Sequence, residues 1–427
     1  MHSSVHQSIA AVWRIESARV VGAVARRVRD VGVAEEIAQD ALVAALEHWP
    51  RDGVPDNPGA WLMTTALRRA LDHIRHRQMA DARHEDIAAD LQSLGADVQP
   101  DFVDALDAAR QDEIGDDLLR LIFTACHPVL SADARVALTL KLLGGLTTFE
   151  IARAYLVPEA TVAQRIVRAK RTLTEAKVPF EVPRGQALTE RLASVLEVVY
   201  LIFNEGYTAT AGADWMRPAL CDEALRLGRM LAELAPQQAE VHGLLALMEI
   251  QASRTAARTD AEGRPVLLSD QDRSRWDPLL IRRGLAALVR SEALGPPPGP
   301  YQLQAAIAAC HTRAGSVDTT DWARIASLYA ELARVQPSSV VELNRAVAVS
   351  MHEGPAAALA IVDTLRGDKA LQRYQWLHSV RGDLLARLGR RDEAREAFVQ
   401  AAELASNDRE RALLMARASD GGPSRAE

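Results

Sequence analysis

Cysteine is scarce: Cys126, Cys221 and Cys310 are the 3 present in 427 residues, far apart and without a CxxC pair. That spacing excludes a disulfide framework and a cysteine-rich zinc site, and it suits a reducing cytoplasm. Aromatic residues make up only 4% of the chain and strand-like alternation is sparse. Alanine, leucine, arginine and glutamate at helical spacing dominate instead, which predicts an all-α protein. No uninterrupted apolar run reaches membrane-spanning length, and MHSSVHQSIAAVWRIESARV has no basic segment followed by an apolar core. A soluble, cytoplasmic protein with no membrane contact is expected. Neither a Walker-type nor a GxGxxG pattern occurs, so no nucleotide cofactor is implied, and none of any other kind is expected. The net charge of −7 leaves no bulk positive field, so any contact with nucleic acid has to come from local basic patches.

What the chain does have is a helix-turn-helix pattern in GGLTTFEIARAYLVPEATVAQRIVRAKRTL, from Gly144 to Leu173. Pro158 stops a first helix at about Leu156 and presets the entry of a second. In the second helix Val162, Ile166, Ala169 and Leu173 recur on one face, with Gln164, Arg165, Arg168 and Arg171 toward the other. Short bihelical turns pack many things besides DNA. A basic outer face nevertheless suits the major groove, where residues near the helix start meet base edges and arginines further along neutralise phosphates.

Upstream, Ser8 to Val28 reads as a helix, ended by Asp30-Val31-Gly32. A second follows in VAEEIAQDALVAALEHW, with Ile37, Ala41, Leu42 and Leu46 as its inner stripe and Glu35, Glu36, Gln39, Asp40 and Glu47 on its outer parts. Such an acidic face is either simply solvated or a docking surface. Pro50 to Gly59 is too rich in proline and glycine to be helical and reads as a loop. It feeds a third helix, AWLMTTALRRALDHIRHR, in which Trp61, Leu67, Leu71 and Ile74 are expected to face a core. Arg69, Arg75, His76 and Arg77 make its end basic, either complementing the helix dipole or contacting nucleic acid. Residues 79–115 are crowded with aspartate and glutamate and read as an acidic linker. DDLLRLIFTACHPVLSADARVALTLKLLGG then opens a second module. Cys126 beside His127 lacks further ligands at suitable spacing, so simple packing is the reading taken.

AEEIAQDALVAALEHW, a loop and AWLMTTALRRALDHIRHR together resemble region two of a bacterial RNA polymerase sigma factor of the extracytoplasmic-function type; the helix-turn-helix resembles its region four. The likeness runs from about Ser8 to Ala176 in family order. It implies that Glu36, Gln39 and Asp40 dock on core RNA polymerase. It also places Arg51, Asp56 and Asn57 in the loop that captures a flipped minus-ten base, with Trp61 either stacking or in the core, and Arg68, Arg69, Arg75 and Arg77 along the melting strand. Glu159, Thr161, Gln164, Arg165, Arg168 and Arg171 fall where the family faces the minus-thirty-five element. The family often carries asparagine at the position of Arg68, so the chemistry of that contact differs here.

An ordinary member of that family would stop near Val178. Here the chain continues through RLASVLEVVYLIFNEGYTATAG and ALCDEALRLGRMLAELAP, where Ala224 stands twelve residues before Pro236 as in tetratricopeptide units. LLARLGRRDEAREAFVQAAEL, with Gly382 two residues before it, carries Gly389, Ala394, Phe398 and Ala401; these positions suit close helix approach and a plugging aromatic. Gly354 and Gly315 stand in similar settings further back. Gly295 to Gly299, with three prolines between, marks a break. NEGYTA, LNRAVAV and LLARLGR resemble a subgroup of these sigma factors with a tetratricopeptide-like extension that takes part in control. Asn204, Glu205, Tyr207, Asp222, His242 and Glu249 could line a pocket, but no nucleophile motif or third metal ligand joins them, and an enzyme is not expected.

The expected organisation is therefore all-α, with two small helical modules followed by a helical-repeat C-terminal domain. Residues 8–78 form a region-two module, 79–115 the linker, 116–178 a region-four helix-turn-helix, 185–290 a helical middle segment and 300–418 tetratricopeptide-like repeats. The expected partners are core RNA polymerase and promoter DNA, with the repeat surface open to a protein or peptide ligand.

Overall fold

The computed structural model describes residues 2–85, 117–155, 157–209, 216–261, 264–369, 371–405 and 407–420. These residues are almost wholly helical, and among them no strand forms beyond an isolated bridge between Thr259 and Pro265. The chain divides into two compact units, Met1–Val198 and Val199–Glu427. The acidic stretch from 86 to 115 lies outside the described residues, while its predicted first part, Met79 to Glu85, continues the third helix.

The first unit begins with three helices, α1 (His2–Val28), α2 (Val31–Asp52) and α3 (Pro58–Glu85), packed pairwise. The break between α1 and α2 is tighter than the sequence suggested. Arg29 takes a positive φ of 54° and Asp30 caps α2 by accepting from the Val33 amide at 3.0 Å, so Val31 and Gly32 already belong to the helix. The expected loop over Pro50–Gly59 is also shorter. Pro50 sits in the last turn of α2, Gly53 N closes that turn on Trp49 O, and Pro58 occupies the first position of α3, where its missing N–H costs nothing.

The inner stripes differ from those predicted as well. On α2 the core side is Ala34, Ile37, Ala38, Ala41, Ala45 and Trp49, while Leu46 is exposed. On α3 it is Leu62, Ala66 and Ala70, and Leu71 is exposed. Alanines let the three helices approach closely, and that contact outweighs the larger transfer energy of the neighbouring leucines. A helix over 117–125 (α4) is followed by α5 (Ala132–Leu142), α6 (Thr148–Tyr155) and α7 (Glu159–Glu175).

Next comes α8 (Gln186–Tyr207), whose first half lies in the first unit. There Leu192, Val195 and Leu196 are buried, Arg191 donates to Phe123 O at 2.9 Å, Ser194 Oγ to Cys126 O at 2.6 Å, and Arg135 pairs with Glu197 at 2.9 Å. The helix-turn-helix module thus packs against a helix beyond the predicted end at residue 178.

The second unit is a succession of helices in which sequence neighbours pack on one another. They are α9 (Pro218–Leu234), α10 (Ala239–Ala252), α11 (Pro278–Ala293), α12 (Pro300–Arg313), α13 (Trp322–Val335), α14 (Ser339–His352), α15 (Pro355–Leu365), α16 (Gln375–Arg387), α17 (Arg391–Leu404) and α18 (Asp408–Asp420). α10 is buried nearly all round and contacts α9, α11 and α12. Across the predicted break at Gly295–Gly299, the carboxylate of Glu240 accepts from the amides of Tyr301 and Gln302 at 2.9 and 3.0 Å and caps α12.

The expected plugging aromatic is present. A Cβ on Gly382 would lie 2.9 Å from the Phe398 ring, so α16 and α17 meet where only glycine fits. Gly389 has a different job from the one predicted: at φ 77°, with nothing within 4 Å of a built Cβ, it turns the chain after α16. Gly354 likewise has a positive φ, whereas Gly315 does not, so the three are not equivalent.

Candidate nucleic-acid interface

The helix-turn-helix is fixed by reciprocal caps. Thr147 donates its amide and hydroxyl to Glu150 Oε2 at 2.8 and 2.9 Å, and Glu150 N returns a bond to Thr147 Oγ1 at 3.1 Å, a capping box at the start of α6. Val157 N closes α6 on Ala152 O, and Pro158 directly precedes α7. The predicted stripe of α7 is buried in full at Val162, Ile166, Ala169 and Leu173. Its outer face carries Glu159, Gln164, Arg168 and Arg171 exposed, with Thr161 and Arg165 half-buried.

The arginines differ in their freedom. Arg165 pairs with Asp133 at the start of α5 at 3.0 Å, and Arg171 with Glu175 at 3.4 Å. Arg168 has no ion-pair partner among the described residues. Val167, 64% exposed, and Phe149, 59% exposed, stand on the solvent side as large apolar groups that the sequence reading missed. The signal for Val167 was its position between Gln164 and Arg168 on the outward face.

The α1–α3 bundle contributes two further surfaces. Glu36, Gln39 and Asp40 are exposed on α2, in line with exposed Val43 and Leu46 at i+3 and i+4 spacing. Arg51, Asp56, Asn57, Arg68, Arg69, Arg75 and Arg77 are exposed around the α2–α3 turn and along α3. Asn57 Oδ1 accepts from the Ala60 amide at 3.0 Å, so this side chain caps α3 with one end and presents its amide nitrogen at the other. Trp61 is half-buried, edge-on to Trp49 at 5.5 Å, which ties most of its ring to the bundle. The α2 and α3 surfaces meet where Arg69 pairs with Asp40 at 3.4 Å.

Glu35, expected on the outer part of α2, is buried. It faces Lys170 of α7 in a short ion pair, Lys141 of α5 at 3.6 Å, and the Gln39 amide at 2.6 Å. Asp30 adds a bond from Thr174 Oγ1 at 2.9 Å. The flank of the candidate reading helix therefore packs on α2, while its outward face stays in solvent. A helical wheel could not reveal this, because the partners stand more than a hundred residues away in sequence.

Cys126 and His127 take separate roles. The Cys126 thiol packs against Thr139 Oγ1 at 3.3 Å, and burial pushes it up to about 11. His127 Nδ1 accepts from the Val129 amide at 3.1 Å in the turn after α4. Of the six residues that could line a catalytic pocket, Glu249, Glu205 and His242 are joined into bridges between elements. Glu249 holds Arg229 at 2.9 Å and Arg283 at 3.4 Å, Glu205 pairs with Arg217, and His242 Nε2 contacts Pro236 O at 2.9 Å.

Comparison with known proteins bears on this arrangement in order along the chain. Residues 14–79 match Sigma-70 region 2, residues 120–173 match Sigma-70 region 4, and residues 191–292 match a family of unknown function (DUF6596). An uncharacterized protein of Rhizobium meliloti is 45% identical over 397 residues, covering 93% of this chain and 92% of that protein. A Mycobacterium tuberculosis protein titled "Probable ECF RNA polymerase sigma factor SigI" is 31% identical over 43% of this chain, and the match spans 60% of that protein.

The ECF RNA polymerase sigma factor SigK of Mycobacterium ulcerans is 33% identical over 159 residues, 36% of this chain and 78% of SigK. The two matched regions define the chain as a sigma-70-type transcription factor. More narrowly, it belongs to the ECF RNA polymerase sigma factors, a non-catalytic family that directs promoter recognition and transcription initiation. Among the described residues no helix is long and apolar enough to cross a membrane.

Proposed function

We propose that this sigma factor reads the minus-thirty-five duplex through the outward face of α7. The observation that carries the assignment is the exposure of Gln164, Arg168 and Arg171 opposite a fully buried apolar stripe. Gln164 has the reach for a base edge, Arg168 and Arg171 for phosphates, and the Val167 side chain for a thymine methyl group. Glu159, Thr161 and Arg165 complete the surface, with Asp133 orienting Arg165.

The exposed acidic stripe of Glu36, Gln39 and Asp40, flanked by Val43 and Leu46, is assigned to core RNA polymerase. An apolar strip beside charges is the composition of a protein interface with a hydrophobic centre and a polar rim. Arg51, Asp56, Asn57 and the exposed part of Trp61 are assigned to a flipped minus-ten base, and Arg68, Arg69, Arg75 and Arg77 to the adjoining strand. We assign the helices of the second unit, whose sequence phrases NEGYTA, LNRAVAV and LLARLGR resemble the tetratricopeptide-like extension of one subgroup of these factors, to control of activity, in a cytoplasmic protein.

Run-off transcription with core polymerase on a promoter mapped from the chain's own transcript starts tests this reading. Initiation that depends on both the chain and core polymerase is the expected result. The competing assignment, a DNA-binding activator that never joins polymerase, requires tight duplex binding by the chain alone and no co-purification with core polymerase.

A further inference from the structure

Two arginines and a tryptophan in the second unit have hydrogen-bonding groups that the fold leaves unmet. Arg254 follows α10, and Arg273 and Trp276 lie in and just after the short 3-10 turn before α11. Arg254 is 9% exposed and Trp276 5%. Both guanidinium groups lie by the same indole, their central carbons 5.9 and 4.9 Å from the Trp276 ring centre. Arg273 Nη1 is anchored to the end of α12, donating to His311 O and Ala314 O at 2.6 Å each. Yet Arg254 Nε, Arg273 Nη2 and Trp276 Nε1 are all buried and have no hydrogen-bond partner.

A buried donor left unmet costs about 1–3 kcal/mol, so three of them beside one ring favour a ligand whose acceptors would meet them. Arg135, Arg191 and Arg417 also carry an orphaned Nε; Arg135 and Arg417 reach the carboxylates of Glu197 and Asp383 through another nitrogen, and Arg191 donates to Phe123 O, but none of them shares a ring with a second such arginine. Arg254 and Arg273 have no carboxylate partner among the described residues. A third guanidinium, Arg258, is buried nearby and donates to Tyr207 O and Thr208 Oγ1.

The local field is correspondingly positive. Burial first, and then Arg254, draw Arg258 and Arg273 below the ordinary arginine range. His311 is held down to about 4, by burial first and then by Arg254 and Arg273. We propose that Arg254, Arg273 and Trp276 form a binding site for one small oxyanion of phosphate or carboxylate type, whose oxygens accept from the three orphaned donors. Guanidinium edges match the oxygen spacing of both groups, and the half-buried Arg273 gives the ligand its way in. The site lies within the segment matched to the family of unknown function and does not depend on the promoter reading.

Thermal unfolding and tryptophan fluorescence of the full-length protein, titrated with inorganic phosphate and separately with acetate at matched ionic strength in chloride, test the proposal. Saturable quenching is expected, with an upward Tm shift of about 5 °C at a hundredfold excess over Kd. Response to phosphate alone assigns a phosphate-type ligand; response to acetate as well assigns the wider oxyanion class. Trp276→Phe should remove the quenching, and Arg254→Met should abolish the Tm shift. Should Arg254→Met fail to fold, Arg273→Lys keeps the charge but loses the planar fork and should weaken binding tenfold or more. The proposal is overturned if neither anion acts beyond chloride, or if a folded Arg254→Met variant keeps the full shift.

Discussion

Arg168 and Arg165 are neighbours on one turn of α7, yet their surroundings give them different weight. Arg168 has no competing ion pair among the described residues, whereas Arg165, on the proposed reading, has to exchange Asp133 for DNA. Arg168→Ala should therefore lower promoter-directed transcription by about tenfold and reduce the salt slope of promoter binding by roughly one. Arg165→Ala should cost less; equal losses in a salt-resolved run-off assay would count against the distinction.

Buried Glu35 leads to a stability prediction. Removing its carboxylate strands Lys141 and Lys170, both partly solvated, so Glu35→Ala should cost about 1–3 kcal/mol in urea unfolding. Cys126 gives a pH dependence with a definite sign. Burial favours its neutral thiol, so this contribution to stability is complete below pH 9.0 and is lost as pH rises through about 11. Comparing alkaline unfolding of the chain with that of Cys126→Ala isolates the effect, which should be smaller in the variant.

Among the elements, the helix-turn-helix was the most legible part of the sequence. Pro158 sets the turn locally, and a four-residue stripe at helical spacing has one way to be buried. The bundle was less legible, because alanines rather than leucines line the contact between α1, α2 and α3, and closeness of approach cannot be read from hydropathy. Glu35 and the Arg254 cluster were illegible for a related reason: their surroundings are assembled from segments far apart in sequence. Gly382 lies between these extremes. A close-approach glycine and a plugging aromatic were legible from spacing, and the structure adds that Gly382 and Phe398 are the two that meet. Gly382→Ala should overpack the α16–α17 contact and cost about 1–3 kcal/mol, with Phe398→Leu in the same chain recovering part of the loss in thermal unfolding.

For the whole molecule, α8 determines how the extension has to be studied. A cut near Val182, the natural choice from the predicted module boundary, removes the Arg191 and Ser194 bonds to Phe123 O and Cys126 O, the Glu197 partner of Arg135, and the buried Leu192, Val195 and Leu196. The expected outcome is a destabilised fragment whose low output says nothing about control. A chain ending at Tyr207 retains all of α8 and is the one whose promoter output, compared with the full chain, tests regulation by the rest of the second unit.

The Glu35–Lys170 contact also offers chemical access to the factor at work. A carboxylate and an amine in direct apposition are substrates for carbodiimide coupling, which would convert the ion pair into an amide, identifiable by mass spectrometry as a zero-length crosslink. A chain so stitched keeps α2 and α7 side by side, and its run-off yield against that of the untreated chain tells whether the two have to part for initiation.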